Sequence, residues 1–142
     1  MKILIIPNMV TKQVCQDYER IFQIPLGNPK MDDDRRTIHE EDNEDAGTSS
    51  QAFLVKAGGL PLGNHFHNKK IEVFFVLEGL VERLTTEDAT AKQEFYNCIP
   101  AGAMIVVPPG IAHTFLLSPG SRMLCYSSER FDPGDMVAKK LA

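Results

Sequence analysis

NHFHNKKIEVFFVLEG, residues 64–79, contains two histidines two positions apart, a glutamate five residues after the second, and an apolar run that ends at a glycine. Side-chain direction in a strand has a period of two residues, so His65 and His67 project to the same side. The segment NKKI is turn-like, and Glu72 opens the next strand. The stretch therefore predicts a hairpin that brings two imidazoles and one carboxylate to the same interior point.

A third imidazole is available downstream, in PPGIAHTF (residues 108–115), where Pro-Pro-Gly predicts a rigid turn that delivers His113 onto the following strand. A histidine pair alone is more often a hydrogen-bonded polar pair than a ligand set. Three imidazoles and one carboxylate together suit a single divalent ion of iron, manganese, nickel, zinc or cobalt. With one negative charge among its ligands, such an ion stays net positive and can act as a Lewis acid or lower the pKa of a bound water. The predicted metal ligands are His65, His67, Glu72 and His113.

These two segments resemble the two motifs of the cupin superfamily, in its small single-domain, type-2 form. The first motif, G-x5-H-x-H-x4-E-x6-G, is matched by Gly59, His65, His67, Glu72 and Gly79. The second motif, G-x5-P-x-G-x2-H-x3-N, is matched by Gly102, Pro108, Gly110 and His113, and departs at its last position, where Leu117 replaces Asn. The resemblance covers residues 59–117, with 22 residues between the motifs.

The resemblance implies an all-β fold, the cupin β-barrel (also called a double-stranded β-helix or jelly roll), with the metal inside the barrel mouth. The chain pattern agrees with this fold. Many short strand-like runs separated by Gly, Pro and Asp predict an antiparallel sandwich or barrel. Eight such runs are expected at residues 52–57, 64–67, 71–79, 80–88, 93–99, 103–108, 113–118 and 121–129.

The remaining segments flank this core. Residues 2–6 predict a first strand, and residues 12–22 predict a short helix with Val14, Tyr18 and Ile21 on one face. Residues 29–51 carry eight acids against three bases, which predicts a mobile loop or a charged edge, with His39 in solvent. The tail from Pro133 is compatible with a short terminal helix. We expect one domain over residues 1–142, with a barrel core at 52–130 and an N-terminal extension with an acidic loop at 1–51.

Both faces of the strand IEVFFVLEG are largely apolar. Val73, Phe75 and Leu77 share the face opposite the predicted ligand Glu72, whereas a strand with one buried face would alternate apolar with polar residues. This second apolar face predicts a cover, which is a second sheet, a helix or another subunit. We expect a homodimer packed through strand faces.

Composition excludes several function classes. The 142-residue chain has a net charge of −4, so it presents no general basic field for nucleic acid or an anionic membrane. No apolar run reaches the roughly 18 residues of a membrane span. The three cysteines are widely separated, which favours a reducing compartment, and we expect a cytoplasmic protein with Cys98 and Cys125 buried as small apolar residues.

Within the cupin resemblance, the run containing the ligands is similar to polysaccharide-biosynthesis cupins that process sugars. This implies a metal-dependent isomerase or epimerase acting on a sugar, sugar phosphate or nucleotide sugar. Such a reaction needs an acid or base beside the metal. The sequence offers Glu78 and Tyr126 as the first candidates, followed by Lys56 and Glu129. Lys69 and Lys70 are compatible with a phosphate contact, but a solvated turn is the simpler interpretation.

Two other function classes stay open. The same ligand set in an iron or nickel enzyme would suit a dioxygenase of a small organic molecule. Alternatively, the barrel binds a small ligand without turnover, in a largely apolar interior. That interior would be lined by Phe53, Val55, Phe74, Val76, Val106 and Phe115.

Overall fold

The computed structural model describes residues 2–23, 31–43, 45–57, 61–130 and 132–141, which form twelve strands, one α-helix and one 3₁₀ turn. The helix is α1 (Lys12–Phe22) and the 3₁₀ turn spans Pro133–Asp135. The strands are β1 (Leu4–Ile6), β2 (Met31–Asp32), β3 (Arg36–Asn43), β4 (Thr48–Val55), β5 (Pro61–His67), β6 (Glu72–Glu78), β7 (Leu80–Glu87), β8 (Gln93–Pro100), β9 (Met104–Val107), β10 (Ala112–Leu117), β11 (Arg122–Ser127) and β12 (Met136–Ala138).

The strands form two antiparallel sheets. Seven strands pair in the order β1-β9-β6-β11-β4-β3-β2, and five pair in the order β12-β5-β10-β7-β8. Apolar side chains from both sheets pack together between them, among them Val76, Leu84, Ile105 and Phe115. The all-β prediction is confirmed, and the eight strands predicted between residues 52 and 129 correspond one to one with β4–β11.

Helix α1 covers the outer face of the seven-stranded sheet. The Thr11 hydroxyl caps the helix by accepting from the Val14 amide at 3.3 Å. Tyr18 is buried and donates its hydroxyl hydrogen to the Phe53 carbonyl at 3.0 Å. Phe75 of β6 packs into the same apolar cluster. The helix therefore covers the second apolar face of β6. That face no longer argues for a second subunit, and the homodimer stays a prediction.

Residues 29, 30 and 44 of the acidic segment lie outside the described residues, and most of its described part forms strands β2, β3 and the start of β4. For this part the interpretation as a mobile loop is wrong and the charged-edge alternative holds. Strand β3 pairs with β4 along its whole length. Its charged side chains find partners on other elements: Glu41 pairs with Arg20 of α1, and Asp42 lies 3.6 Å from Arg130. His39 is half-buried against Phe22, with ring centroids 4.6 Å apart, and is not a solvated histidine.

The tail contains no α-helix among its described residues. The Asp132 side chain accepts from the Gly134 amide and closes the 3₁₀ turn, after which β12 pairs with β5. The edge of the five-stranded sheet takes up the tail as an added strand, which satisfies backbone groups that a helix would satisfy internally.

Two predicted interior side chains lie elsewhere. Cys98 is exposed on the edge strand β8, where Ile99 takes the buried position. Val106 is half-buried and lies outside the core, because its neighbours Ile105 and Val107 occupy the inner face of β9. No helix in the described part of the chain is long and apolar enough to cross a bilayer.

Candidate metal centre

Strands β5, β6 and β10 bring the predicted ligands together at one end of the space between the sheets. His65 pairs directly with His113 across the β5–β10 ladder. Their close approach requires a glycine at position 63, since a Cβ there would lie 2.5 Å from the His113 carbonyl oxygen. The motif glycines Gly79, Gly102 and Gly110 all adopt positive φ, whereas Gly59 lies outside the described residues.

The four side chains surround a common centre. Glu72 Oε1 lies 3.3 Å from His67 Nε2 and 3.3 Å from His113 Nε2. The His65 ring centroid is 4.8 Å from that of His67 and 4.9 Å from that of His113. His65, His67 and Glu72 each offer a ligand atom, and these atoms lie within 4.8 Å of one another. This cluster can hold a metal ion.

Backbone carbonyl acceptors orient two of the three imidazoles, and a carboxylate faces the third. His65 Nδ1 lies 3.1 Å from the Gly63 carbonyl oxygen, and His113 Nδ1 lies 3.1 Å from the Ile111 carbonyl oxygen. A carbonyl only accepts, so in the neutral imidazole the proton resides on Nδ1 and Nε2 presents a lone pair. His67 Nδ1 faces a carboxylate oxygen at 3.7 Å. The His65 and His113 rings therefore direct Nε2 lone pairs to the inside, and His67 places its Nε2 3.3 Å from Glu72 Oε1.

Glu72 is buried, and its Oε1 has no hydrogen-bond partner among the described residues. Burial alone would raise the pKa of Glu72, but hydrogen bonds from the imidazoles of His113 and His67, and positive charge on them, outweigh it and hold the pKa well below its ordinary value. A cation in the same place would stabilise the carboxylate in the same way while the imidazoles stay neutral. The other oxygen, Oε2, accepts from the Cys125 thiol at 3.6 Å. An anionic oxygen facing imidazole lone pairs is unfavourable without a cation between them. The donor set therefore fits a metal ion.

The electrostatic environment keeps His65 neutral. Burial, followed by the nearby imidazole of His113, lowers the pKa of His65 to about 4. A neutral imidazole is the form that binds a metal. At neutral pH the ring therefore needs no deprotonation before it can act as a ligand.

Asp135 supports His67 from the tail, and the sequence reasoning missed it. It is buried, its Oδ1 accepts from the Lys69 amide at 2.7 Å, and its Oδ2 is the oxygen 3.7 Å from His67 Nδ1. This distance is an ion-pair contact and is longer than a hydrogen bond. A carboxylate beside the outer nitrogen of a histidine ligand is the group that orients the ring in metal sites, so Asp135 is placed for that role. The only sequence signal is the turn chemistry of Asp-Pro-Gly-Asp, which predicts a bend at Asp135 but not its contact with β5.

A cavity of about 360 Å³ opens beside the cluster. Its walls are mainly apolar, and two of its residues, Arg36 and Lys70, are cationic. Lys70 is only 7% exposed, so its interpretation as part of a solvated turn is wrong. The lining residues include Arg36, Gln51, Phe53, Leu62, Lys70, Phe74, Phe115 and Met123, together with the four predicted ligands.

The structure does not bring the predicted acid and base candidates into this cavity. The Glu78 side chain is 64% exposed and lies 3.6 Å from Arg122. Tyr126 is on the outer face of the sheet, where its hydroxyl donates to Asp17 and burial raises its pKa. Lys56 forms an exposed ion pair with Asp32 at 2.7 Å, and Glu129 and Lys69 are exposed.

Comparison with known proteins supports the same fold. The family model described as FdtA: WxcM-like, C-terminal matches residues 51–140. CapF from Staphylococcus aureus, a capsular polysaccharide assembling protein, superposes with a TM-score of 0.69 at 21% identity, over 87% of this chain and 35% of CapF. This chain thus spans about a third of the length of CapF. No protein with a curated description matches the sequence.

Two further solved structures share the architecture. Oxalate decarboxylase OxdC from Bacillus subtilis has a TM-score of 0.64 at 15% identity, over 78% of this chain and 30% of that protein. QdtA from Thermoanaerobacterium thermosaccharolyticum, a sugar 3,4-ketoisomerase in complex with TDP, has a TM-score of 0.53 at 16% identity, over 62% of this chain and 64% of QdtA. At these identities the likeness shows the cupin fold, which the two motifs predict.

Proposed function

The chain belongs to the FdtA, WxcM-like C-terminal family, and from this premise we propose that it is a metal-dependent enzyme that isomerises or epimerises a small carbohydrate-related substrate. One observation carries the metal part of the proposal. Carbonyl acceptors at Nδ1 orient two of the three imidazoles, those of His65 and His113, and the Nε2 atoms of His67 and His113 each lie 3.3 Å from the unsatisfied Glu72 Oε1. This arrangement would hold one divalent ion of iron, manganese, nickel, zinc or cobalt.

When bound, the metal would supply a Lewis acid that polarises a carbonyl or hydroxyl oxygen of the sugar. The chain's own residues orient the substrate and exclude water. Phe53, Phe74 and Phe115 form apolar walls of the cavity, and their low polarity strengthens every electrostatic contact at the centre. A cavity of this volume with few polar groups suits a small organic ligand.

The far end of the cavity offers polar contacts for the rest of the sugar. Arg36 pairs with Val55 of β4. Glu72 pairs with Ser127 of β11, which in turn pairs with Ser49 of β4. The two ends of the cavity are therefore six residues of β4 apart, or roughly 20 Å. Arg36 Nε contacts the Met31 sulfur at 2.8 Å, and no ion pair to it is found in the described ranges. Its remaining N–H groups are therefore available to substrate hydroxyl or anionic groups.

Neither Glu78 nor Tyr126 lines the cavity, so neither is placed to act as the acid or base. In the isomerisation, a proton moves between adjacent carbons of the substrate, and its transfer must take place inside the cavity. The walls limit access of bulk water, so exchange with solvent depends on groups of the cavity.

Solvent isotope exchange tests the proposal. The metal-loaded protein is incubated in D₂O without oxygen with keto sugars, sugar phosphates and nucleotide sugars, and proton NMR follows the carbon next to the carbonyl. TDP-linked keto sugars belong in the set because QdtA is a ketoisomerase of similar fold. We expect deuterium incorporation by the wild type and by E78Q, and none by E72Q or after chelation.

Two results would contradict the isomerase proposal. Oxygen uptake with small diols or diketones, without isotope exchange, would favour the dioxygenase. Binding of sugars without exchange or oxygen uptake would favour a binding protein. Exchange that persists after chelation would contradict the role of the metal.

A further inference from the structure

Lys70 is the feature of the cavity that the proposed reaction leaves unexplained. It is 7% exposed and lines the cavity beside Glu72. No hydrogen bond or ion pair of its ammonium group is found within the described residues, although Lys69, next in the chain, is exposed. Packing of the aliphatic part of the Lys70 side chain does not by itself explain this placement. A lysine that stays exposed keeps the hydration of its ammonium group and its side-chain entropy.

Lys70 Nζ is not among the buried side-chain atoms that lack a hydrogen-bond partner, so the ammonium group reaches the cavity surface. At a largely enclosed wall it keeps only part of its hydration, and an opposite charge in the cavity would compensate that loss. The only carboxylate that lines the cavity within the described ranges is Glu72. Its Oε1 faces the two imidazoles and its Oε2 accepts from Cys125, so Glu72 is already engaged by the cluster. Within the described residues, the cavity therefore leaves both of its cationic side chains, Lys70 beside Glu72 and Arg36 at the far end, without a carboxylate partner.

We propose that Lys70 and the metal centre together form an oxyanion site, and that the ligand binds with an anionic group, a carboxylate or a phosphoryl group, at the inner end of the cavity. The inference rests on the metal centre of the proposed function. A divalent ion with the single negative charge of Glu72 is net positive, and Lys70 adds a second positive charge. An anionic ligand would neutralise both, and a neutral sugar would not.

A ligand-binding role and a structural role of Lys70 predict opposite effects of its replacement on stability. If an absent ligand is its partner, the ligand-free chain retains an uncompensated charge at the cavity wall. Replacing that charge with an apolar side chain of similar length should then stabilise the ligand-free protein, since function and stability oppose each other at such positions. A structural lysine would show the opposite effect on stability.

The test uses four proteins: the wild type, K70M, K70R and K69M. Lys69 is the matched control because its side chain is exposed and because only its backbone amide contacts Asp135. Metal affinity is measured first, by titration with Zn²⁺ and Mn²⁺. Calorimetry with oxalate and with inorganic phosphate then measures oxyanion binding to each metal-loaded protein, and thermal unfolding measures stability without either ligand.

We expect oxalate or phosphate to bind the wild type and K69M with the same affinity. K70M should bind at least 10-fold more weakly, K70R should keep most of the affinity, and metal affinity should not fall in either variant. K70M should unfold a few degrees higher than the wild type, on the order of 3 °C. Binding of oxalate alone identifies the anionic group as a carboxylate, and binding of phosphate alone identifies it as a phosphoryl group.

Three results would overturn the inference. They are equal oxyanion binding by K70M and the wild type, absence of oxyanion binding by the metal-loaded wild type, and a lower unfolding temperature of K70M. The last result would make Lys70 structural even if K70M were too unstable for calorimetry. A wild type that binds no metal would refute the proposed function as well, whereas a metal-loaded protein that binds no oxyanion would refute only this inference.

Discussion

Glu72 and Glu78 lie at the two ends of β6, and simple alternation would place both carboxylates on the inner face of the sheet. The Glu72 side chain is 7% exposed and faces the imidazoles of His67 and His113, whereas the Glu78 side chain is 64% exposed and faces Arg122. The register between β6 and β11 shifts between Arg122 and Met123, one position from the pairing with Glu78. Such an irregularity redirects the side chains beyond it.

The difference shows that alternation along a strand does not by itself decide whether a carboxylate belongs to the site. Period-two alternation places Glu72 correctly, but it gives Glu78 the same environment. The contacts that distinguish them come from the other sheet, which supplies His67 and His113 only at the Glu72 end. The account therefore predicts large effects of substitutions at the Glu72 end and small effects at the Glu78 end and on the outer face.

The largest effect is expected for E72Q compared with E78Q. Loss of a supporting partner of a metal ligand already weakens binding roughly 10–100-fold, so loss of the ligand charge itself should weaken metal binding by at least about 100-fold. E78Q should bind metal as the wild type does, because Glu78 is exposed and remote from the cluster. Competition titration against a chromogenic chelator measures both. Equal losses in the two variants would contradict the distinction.

The two faces of β6 give the next comparison. Phe75 is 8% exposed, packs against the buried side of α1, and lies edge-on to Tyr126 with ring centroids 5.8 Å apart. We expect F75A to lower the free energy of unfolding by about 3 kcal/mol. Its metal affinity in the folded state should be unchanged, since Phe75 points away from the cluster. Chemical denaturation and metal titration check the two expectations, and a large loss of metal affinity would show that the faces are not independent.

A smaller effect is expected at Asp135, which faces His67 Nδ1 at 3.7 Å without reaching the centre. D135N keeps the shape of the side chain and removes the charge that faces His67 Nδ1. Metal affinity should fall roughly 10–100-fold, and D34N, at an exposed acid, should leave it unchanged. Titration at matched metal concentrations distinguishes them. An unchanged affinity in D135N would remove Asp135 from the site.

The smallest effect is expected for Y126F. This substitution removes the hydrogen bond to Asp17 on the partly exposed outer face, so it should lower stability by about 1 kcal/mol or less. Metal content and turnover should stay at the level of the wild type. A loss of turnover with the fold intact would restore Tyr126 as an acid or base candidate.

Much of this site could be predicted because its signals are local. The period of a strand places His65 and His67 on one side, and glycine and proline turns set the spacing of the two motifs. Asp135 and Lys70 could not be predicted in the same way. The role of each depends on a contact between distant segments: the tail pairs with β5, and the turn before β6 folds back into the cavity.

The fold shows the same division. Helix α1 follows from its apolar spacing, and its predicted bounds are confirmed. Strand β3 could not be predicted from the sequence, because its acids outnumber its apolar residues. Its pairing with β4 depends on partners such as Arg20 of α1. Charge composition describes solvation of an isolated segment, whereas these acids are neutralised by other elements.

Anomalous X-ray scattering from crystals grown with Mn²⁺ or Zn²⁺ tests the central claim most directly. We predict one strong peak per chain, about 2.0–2.3 Å from Nε2 of His65, His67 and His113 and from Glu72 Oε1. The same experiment on E72Q should show no peak there. A wild-type crystal with no peak among these four side chains, or with its only peak at another place on the chain, would contradict the account.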